Sequence, residues 1–82
     1  MDEAAAAILA LLAARGEGQT ICPSEAARSL AGQSPDWRAR MDEVHAAVDA
    51  LLHGGAIRLS WRGIPKSERR GPYRIARRHD LP

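Results

Sequence analysis

The sequence predicts a mainly α domain that closes with a small β-hairpin, and three observations carry that expectation. Apolar residues recur at helical spacing through residue 53, the period then switches to two, and Gly or Pro stands at every change of element. Three helices followed by two strands is the order that results.

The first helix is expected from about Asp2 to Arg15. Asp2 and Glu3 lie at its positive end, Arg15 lies at its negative end, Ala and Leu favour helix throughout, and Gly16 supplies the stop. Ile8, Leu9, Leu11 and Leu12 give it a stripe to bury. Past the turn Gly16-Glu17-Gly18, the β-branched run Thr20-Ile21-Cys22 offers a short third strand. It leads into Pro23-Ser24-Glu25, where Cys22 or Ser24 caps a second helix, Pro23 suits the first helical position and Glu25 favours the positive end. That helix is short, about Pro23 to Leu30, and Gly32 ends it. Ser34-Pro35-Asp36 repeats the start signal for a third helix, Pro35 to His53, which Gly54-Gly55 terminates. Trp37, Met41, Val44, Val48, Leu51 and Leu52 form one face of it. Beyond Gly55, Ile57, Leu59 and Trp61 alternate with Arg58, Ser60 and Arg62, and Tyr73 and Ile75 alternate with Arg74 and Ala76. Each strand therefore presents one apolar and one polar face. The stretch from Gly63 to Pro72 is expected to be irregular, a long basic tip.

This order is that of a winged helix-turn-helix: three helices with a two- or three-stranded antiparallel wing sheet. The second and third helices form the helix-turn-helix, and residues 62–72 form the wing. The 82 residues suffice for one domain, 1–82, with 79–82 a frayed tail. Of the 45% that are hydrophobic, 16 residues are Ala, which leaves a thin core. A chain this short buries only ~60% of its unfolded surface. A single Cys forms no internal disulfide, no zinc spacing is present, and a reducing cytoplasm is the expected location. The longest apolar run, Ala4 to Ala14, is shorter than the roughly 20 residues of a membrane span, and it follows acidic residues where a signal peptide carries basic ones. No membrane association or targeting segment is expected. Eleven Arg against one Lys, with the Ala content, fits a GC-rich bacterial genome.

Several segments are familiar as a set. The run Thr20-Ile21-Cys22-Pro23-Ser24-Glu25-Ala26-Ala27-Arg28, then Trp37-Arg38 followed by Met41, Gly55-Ala56-Ile57, and Arg70-Gly71-Pro72-Tyr73-Arg74-Ile75 resemble an uncharacterised bacterial family, domain of unknown function 3253, over nearly the whole chain. The T-I-C-P-S-E run is the most specific part. The resemblance implies a small winged-helix fold and no established activity. His45, where relatives tend to carry Arg, and Ile64-Pro65-Lys66-Ser67 in the wing depart from the family pattern.

The formal net charge of +2 hides two opposite fields. Residues 1–53 carry four arginines against eight carboxylates, while residues 54–82 carry eight cations against two carboxylates. So dense a basic field on a small domain is the footprint of a polyanion partner, the alternative being a solvated face that also binds the acidic half. The third helix is poorly equipped to read bases. Its outward residues are Ala39, Asp42, Glu43, Ala46, Asp49, Ala50 and His53, three of them carboxylates, and only Arg38 resembles a base reader. The hairpin argues the other way: Arg58, Arg62 and Arg74 share its solvent face, Lys66, Arg69 and Arg70 crowd its tip, and Arg77 and Arg78 follow. Phosphate contacts position a protein without specifying sequence. The expected function is therefore duplex DNA binding dominated by the wing, through Arg38, Arg58, Arg62, Lys66, Arg69, Arg70, Arg74 and Arg77, in a transcription-related role. The competing class is a protein-interaction or dimerisation module, in which the acidic third helix of one copy meets the basic hairpin of another and the Ala39/Ala46/Ala50 ridge permits close approach.

Other chemistry is weakly signalled. His45, Asp49 and His53 recur at helical spacing, but no third His or Glu completes a zinc set, and a solvent-facing ladder of Asp-His pairs is the simpler reading. Cys22 begins a helix, where a thiol is activated; filling the strand-to-helix corner is favoured, since no resolving thiol exists. Trp37 and Trp61 fall on apolar faces, and packing is favoured over base stacking. Ser24 has no His and acid partners in the sequence and is assigned to capping. No phosphate-cradling glycine motif, cofactor or small-molecule ligand is indicated, and no enzymatic activity is expected.

Overall fold

The computed structural model describes residues 2–78, so the tail 79–82 lies outside the described residues. Helix α1 spans Glu3–Ala14. Asp2 caps it: its carboxylate accepts from the Ala5 amide at 2.7 Å, satisfying one of the orphan donors of the first turn. Strand β1 is Thr20–Ile21 and helix α2 is Pro23–Ala31. Cys22, not Ser24, occupies the cap, and the Glu25 carboxylate reaches back to accept from the Cys22 amide at 2.7 Å. Ser24 lies inside the helix and its hydroxyl donates to the Cys22 sulfur at 3.2 Å. Arg15 at the end of α1 pairs with Glu25, tying the two helices together.

The third helix departs from expectation at its start. Trp37–Arg40 winds as a 3-10 turn, and helix α3 proper is Met41–His53. The Ala39 amide donates to the Asp36 carbonyl at 3.3 Å, closing the tighter winding. Arg40 then donates to the Leu30 carbonyl at 3.1 Å, one of the unpaired acceptors at the end of α2. Trp37, expected at the centre of the buried face, is half-buried as a result, while Val44 and Val48 are fully buried.

Strands β2 (Ile57–Trp61), β3 (Ile64–Lys66) and β4 (Arg74–Arg77) join β1 in an antiparallel sheet of order β1-β4-β2-β3. The expected pair of strands is β2 and β4, with Leu59 opposite Ile75, and Thr20-Ile21 adds the third strand opposite Ala76 and Ile75. The extra strand β3 corrects the expectation of a long irregular tip. Arg62 and Gly63 both have positive φ, 51° and 81°, as a two-residue type I′ turn requires, and the chain doubles back at once. Pro65 is tolerated because β3 is an edge strand. The protein is thus mixed α/β, three helices with a four-stranded sheet, and more than a helical domain with a hairpin.

One apolar cluster joins helices and sheet, with Ile8, Leu12, Ile21, Val44, Val48, Ile57, Leu59 and Ile75 fully buried. Strand alternation turns Thr20, Arg58, Ser60, Arg74 and Ala76 to the sheet's other face. Ala76 is nonetheless buried between its cross-strand neighbours Thr20 and Arg58; a long arginine stem covers apolar surface while its head stays in water.

Candidate nucleic-acid interface

The outer face of the sheet forms an open groove of about 830 Å³ whose lining includes Arg58, Arg62 and Arg74, with Trp61 and Lys66 at its border and, among the described residues, no carboxylate. Register builds it. Arg58 lies opposite Ala76 and Ser60 opposite Arg74, so both arginines project from adjacent strands on the same side. The type I′ turn carries Arg62 to the rim, where its guanidinium lies 5.6 Å from the Trp61 ring centroid. Arg74 donates to the Thr20 hydroxyl at 2.9 Å and to the Thr20 carbonyl at 3.3 Å, and Lys66 donates to the carbonyls of Arg70 and Pro72. Those partners are neutral, so they orient the two cations without cancelling their charge. Among the described residues Arg58 has no hydrogen-bond or ion-pair partner.

The remaining candidates are dispersed. Arg69 donates to both carboxylate oxygens of Asp49, at 2.9 and 3.0 Å; that contact holds the Asp49 carboxyl below its ordinary value and raises the Arg69 guanidinium. Arg70 pairs with Glu68 at 3.0 Å. Arg69 and Glu68 border a second hollow of about 450 Å³ beside α3, with Asp49 and His53. The segment expected at the hairpin tip is therefore a return loop fastened to the helix, its two arginines matched by carboxylates. Arg77 is exposed at the end of β4, outside the groove lining, and Arg38 sits on the helical side against Trp37. Of the eight expected residues Arg58, Arg62 and Arg74 are brought together, Lys66 borders the same groove from the edge strand, and the other four lie elsewhere. Thr20, which orients Arg74, was missed by the sequence reading; the signal was its place in the short strand offered as a partner for the hairpin.

The family described as Protein of unknown function (DUF3253) matches residues 1–78. The chain belongs to that family. No curated protein matches it.

In this DUF3253 member the outward residues of α3 are as expected: Ala39 in the preceding turn, then Asp42, Glu43, Ala46, Asp49, Ala50 and His53 are all exposed. The Asp-His ladder is not formed. His45 turns from its helix to share a 2.7 Å hydrogen bond between its Nδ1 and the Tyr73 hydroxyl, while Asp49 takes Arg69. Burial, reinforced by the Arg69 charge, lowers the His45 pKa, and burial pushes Tyr73 up to about 12. Among the described residues no three His, Cys, Asp or Glu side chains converge as a metal set requires. Cys22 is half-buried at the strand-to-helix corner. Trp61 is likewise half-buried and lines the groove. No helix of the described residues is long and apolar enough to cross a membrane.

Proposed function

We propose that this protein is a nucleic-acid-binding domain of winged helix-turn-helix form that grips duplex DNA by its phosphates, with the outer face of the sheet as the contact surface. One observation carries the reading: three arginines, Arg58, Arg62 and Arg74, line a single open groove, with Lys66 of the edge strand at its border, and among the described residues no carboxylate lines it. Several arginines elsewhere are matched with acids, as in the pairs Arg15 with Glu25, Arg40 with Glu43 and Arg69 with Asp49. A concentrated unmatched field of one sign raises the local concentration of a polyanion and speeds its encounter. The carboxylates Asp42 and Glu43 on α3 repel phosphates, which favours sequence-tolerant binding over base reading by that helix. The winged form is supported by α2, the 3-10 turn and α3 in succession and by the β1-β4-β2 order of the sheet. A transcription-related role in the cytoplasm is the setting this reading implies.

The test is charge reversal in the groove. Arg58→Glu with Arg62→Glu is expected to abolish binding to a labelled mixed-sequence duplex in fluorescence anisotropy while leaving the melting temperature nearly unchanged. Unchanged affinity in a folded variant removes the groove as the site.

A further inference from the structure

We propose that Arg28 and Arg38, gathered on the ring of Trp37, form a second phosphate-binding site for nucleic-acid backbone, an inference that rests on the groove reading for the identity of the ligand. The two guanidinium carbons lie 4.6 and 4.3 Å from the Trp37 ring centroid, hence no farther from each other than those two distances end to end. They come from different elements, Arg28 from the last turn of α2 and Arg38 from the 3-10 turn, so the tertiary fold brings them together.

Among the described residues, neither arginine pairs with a carboxylate. Acids are near in the chain: Asp36 precedes the 3-10 turn and Asp42 and Glu43 follow it. Arg40 of the same turn collects two, Glu43 and Glu3, and the Leu30 carbonyl besides. Of the acids near in the chain only Glu43 pairs with Arg40, and no ion pair joins Asp36 or Asp42 to the two arginines on Trp37. Two like charges held close repel, and the negative face of an aromatic ring offsets only part of that. An oxyanion bound beside the ring adds the opposite charge that the pair lacks.

Phosphate fits the chemistry. A guanidinium is a rigid planar fork of N–H donors that matches phosphate oxygens two at a time. Stacking on the ring already restricts both side chains, which lowers the entropy lost when an anion is bound. A structural role accounts for only one of the two cations, since Arg28 lies at the negative end of α2 and is favoured there by the helix dipole. The protein measures 41 × 25 × 22 Å overall, and duplex DNA offers a charge about every 1.7 Å along its axis. A duplex therefore offers many phosphates over the length of the protein.

The experiment compares the unaltered protein with Arg28→Gln/Arg38→Gln in anisotropy titrations of a labelled mixed-sequence duplex across a salt series. Both positions are exposed, and a thermal melt confirms that the variant is folded. The expected result is a plot of log affinity against log salt that is shallower by about 2 in the variant. If the unaltered protein binds and the variant shows the same slope, the second site is overturned and the groove reading stands. Absence of binding by the unaltered protein overturns both.

Discussion

The carboxylate of Asp49 meets the guanidinium of Arg69 through two hydrogen bonds, 2.9 and 3.0 Å long, joining the outward face of α3 to the loop that follows β3. The acidic and basic halves of the sequence thus touch within one chain. Bidentate geometry makes this pair stronger than a typical surface ion pair. Its partner-side consequence is that Arg69 faces a carboxylate already, so the positive field lies across the sheet and not at the loop.

Asp49→Asn is expected to release Arg69. Stability falls only slightly, by about 0.5–1 kcal/mol for a pair this exposed, whereas duplex affinity rises and its salt slope steepens by about 1 as one more cation becomes available. Denaturant unfolding and anisotropy on the same variant check both halves; weakened binding would contradict the account.

Gly63 sits at φ +81° with open space where a side chain would go. Backbone conformation alone therefore decides the effect of a substitution. Gly63→Ala is expected to cost ~1–2 kcal/mol, the penalty of a left-handed L-residue, and Gly63→Asn less, since Asn tolerates that region. Equal losses in urea melts would mean that the turn is not what limits the hairpin.

Ile75 is fully buried on the central strand β4, flanked in register by Ile21 and Leu59. Ile75→Ala removes packing from both neighbours and is expected to cost about 2–5 kcal/mol, against about 0.5–1.5 for Ile75→Val. At roughly 0.05–0.15 kcal/mol per residue for total stability, the larger loss brings a domain of this size near unfolding at ambient temperature. Urea titration with circular dichroism reads the difference.

His45 links stability to pH. Its folded pKa lies below the ordinary 6.5 because burial and Arg69 disfavour the charged ring, with Asp42 and Asp49 opposing them. The unfolded chain therefore takes up the proton first as pH falls. The stabilisation is complete above about pH 6.5 and is lost as pH drops through the lowered folded value. Melting temperature is expected to decline as pH falls below about 6.5, and His45→Gln, which can still bond Tyr73 but does not titrate, is expected to flatten that segment. A parallel decline in the variant would assign the effect elsewhere.

Much of the fold is legible in the residues themselves. Asp2 and Gly16 bracket α1, Pro23 and Gly32 bracket α2, and the spacing of Val44 and Val48 fixes which side of α3 is buried. Strand β3 was obscured because Pro65 argues against a strand, a rule that relaxes at a sheet edge; the decisive cue was Arg62-Gly63 between Trp61 and Ile64, a two-residue turn between β-forming residues. The 3-10 turn was equally hidden, since Ser34-Pro35-Asp36 is a valid start for an α-helix as well. For the site, alternation alone places Arg58 and Arg74 on one face. The neutralisation of Arg69 and Arg70, and the meeting of Arg28 with Arg38 on Trp37, are side-chain pairings set by tertiary structure. Arg28 was passed over because it lies in the acidic stretch of the chain, where a count of charges dilutes it.

The most direct measurement of the central claim is the affinity of the unaltered protein for a mixed-sequence duplex as a function of salt. Neutralising about five phosphates predicts that log affinity falls with log salt at a slope of roughly −4 to −5, and that Arg58→Gln/Arg62→Gln makes the slope shallower by about 2. A slope near zero, or one the groove variant leaves unchanged, would contradict a sheet groove that binds nucleic acid through its phosphates.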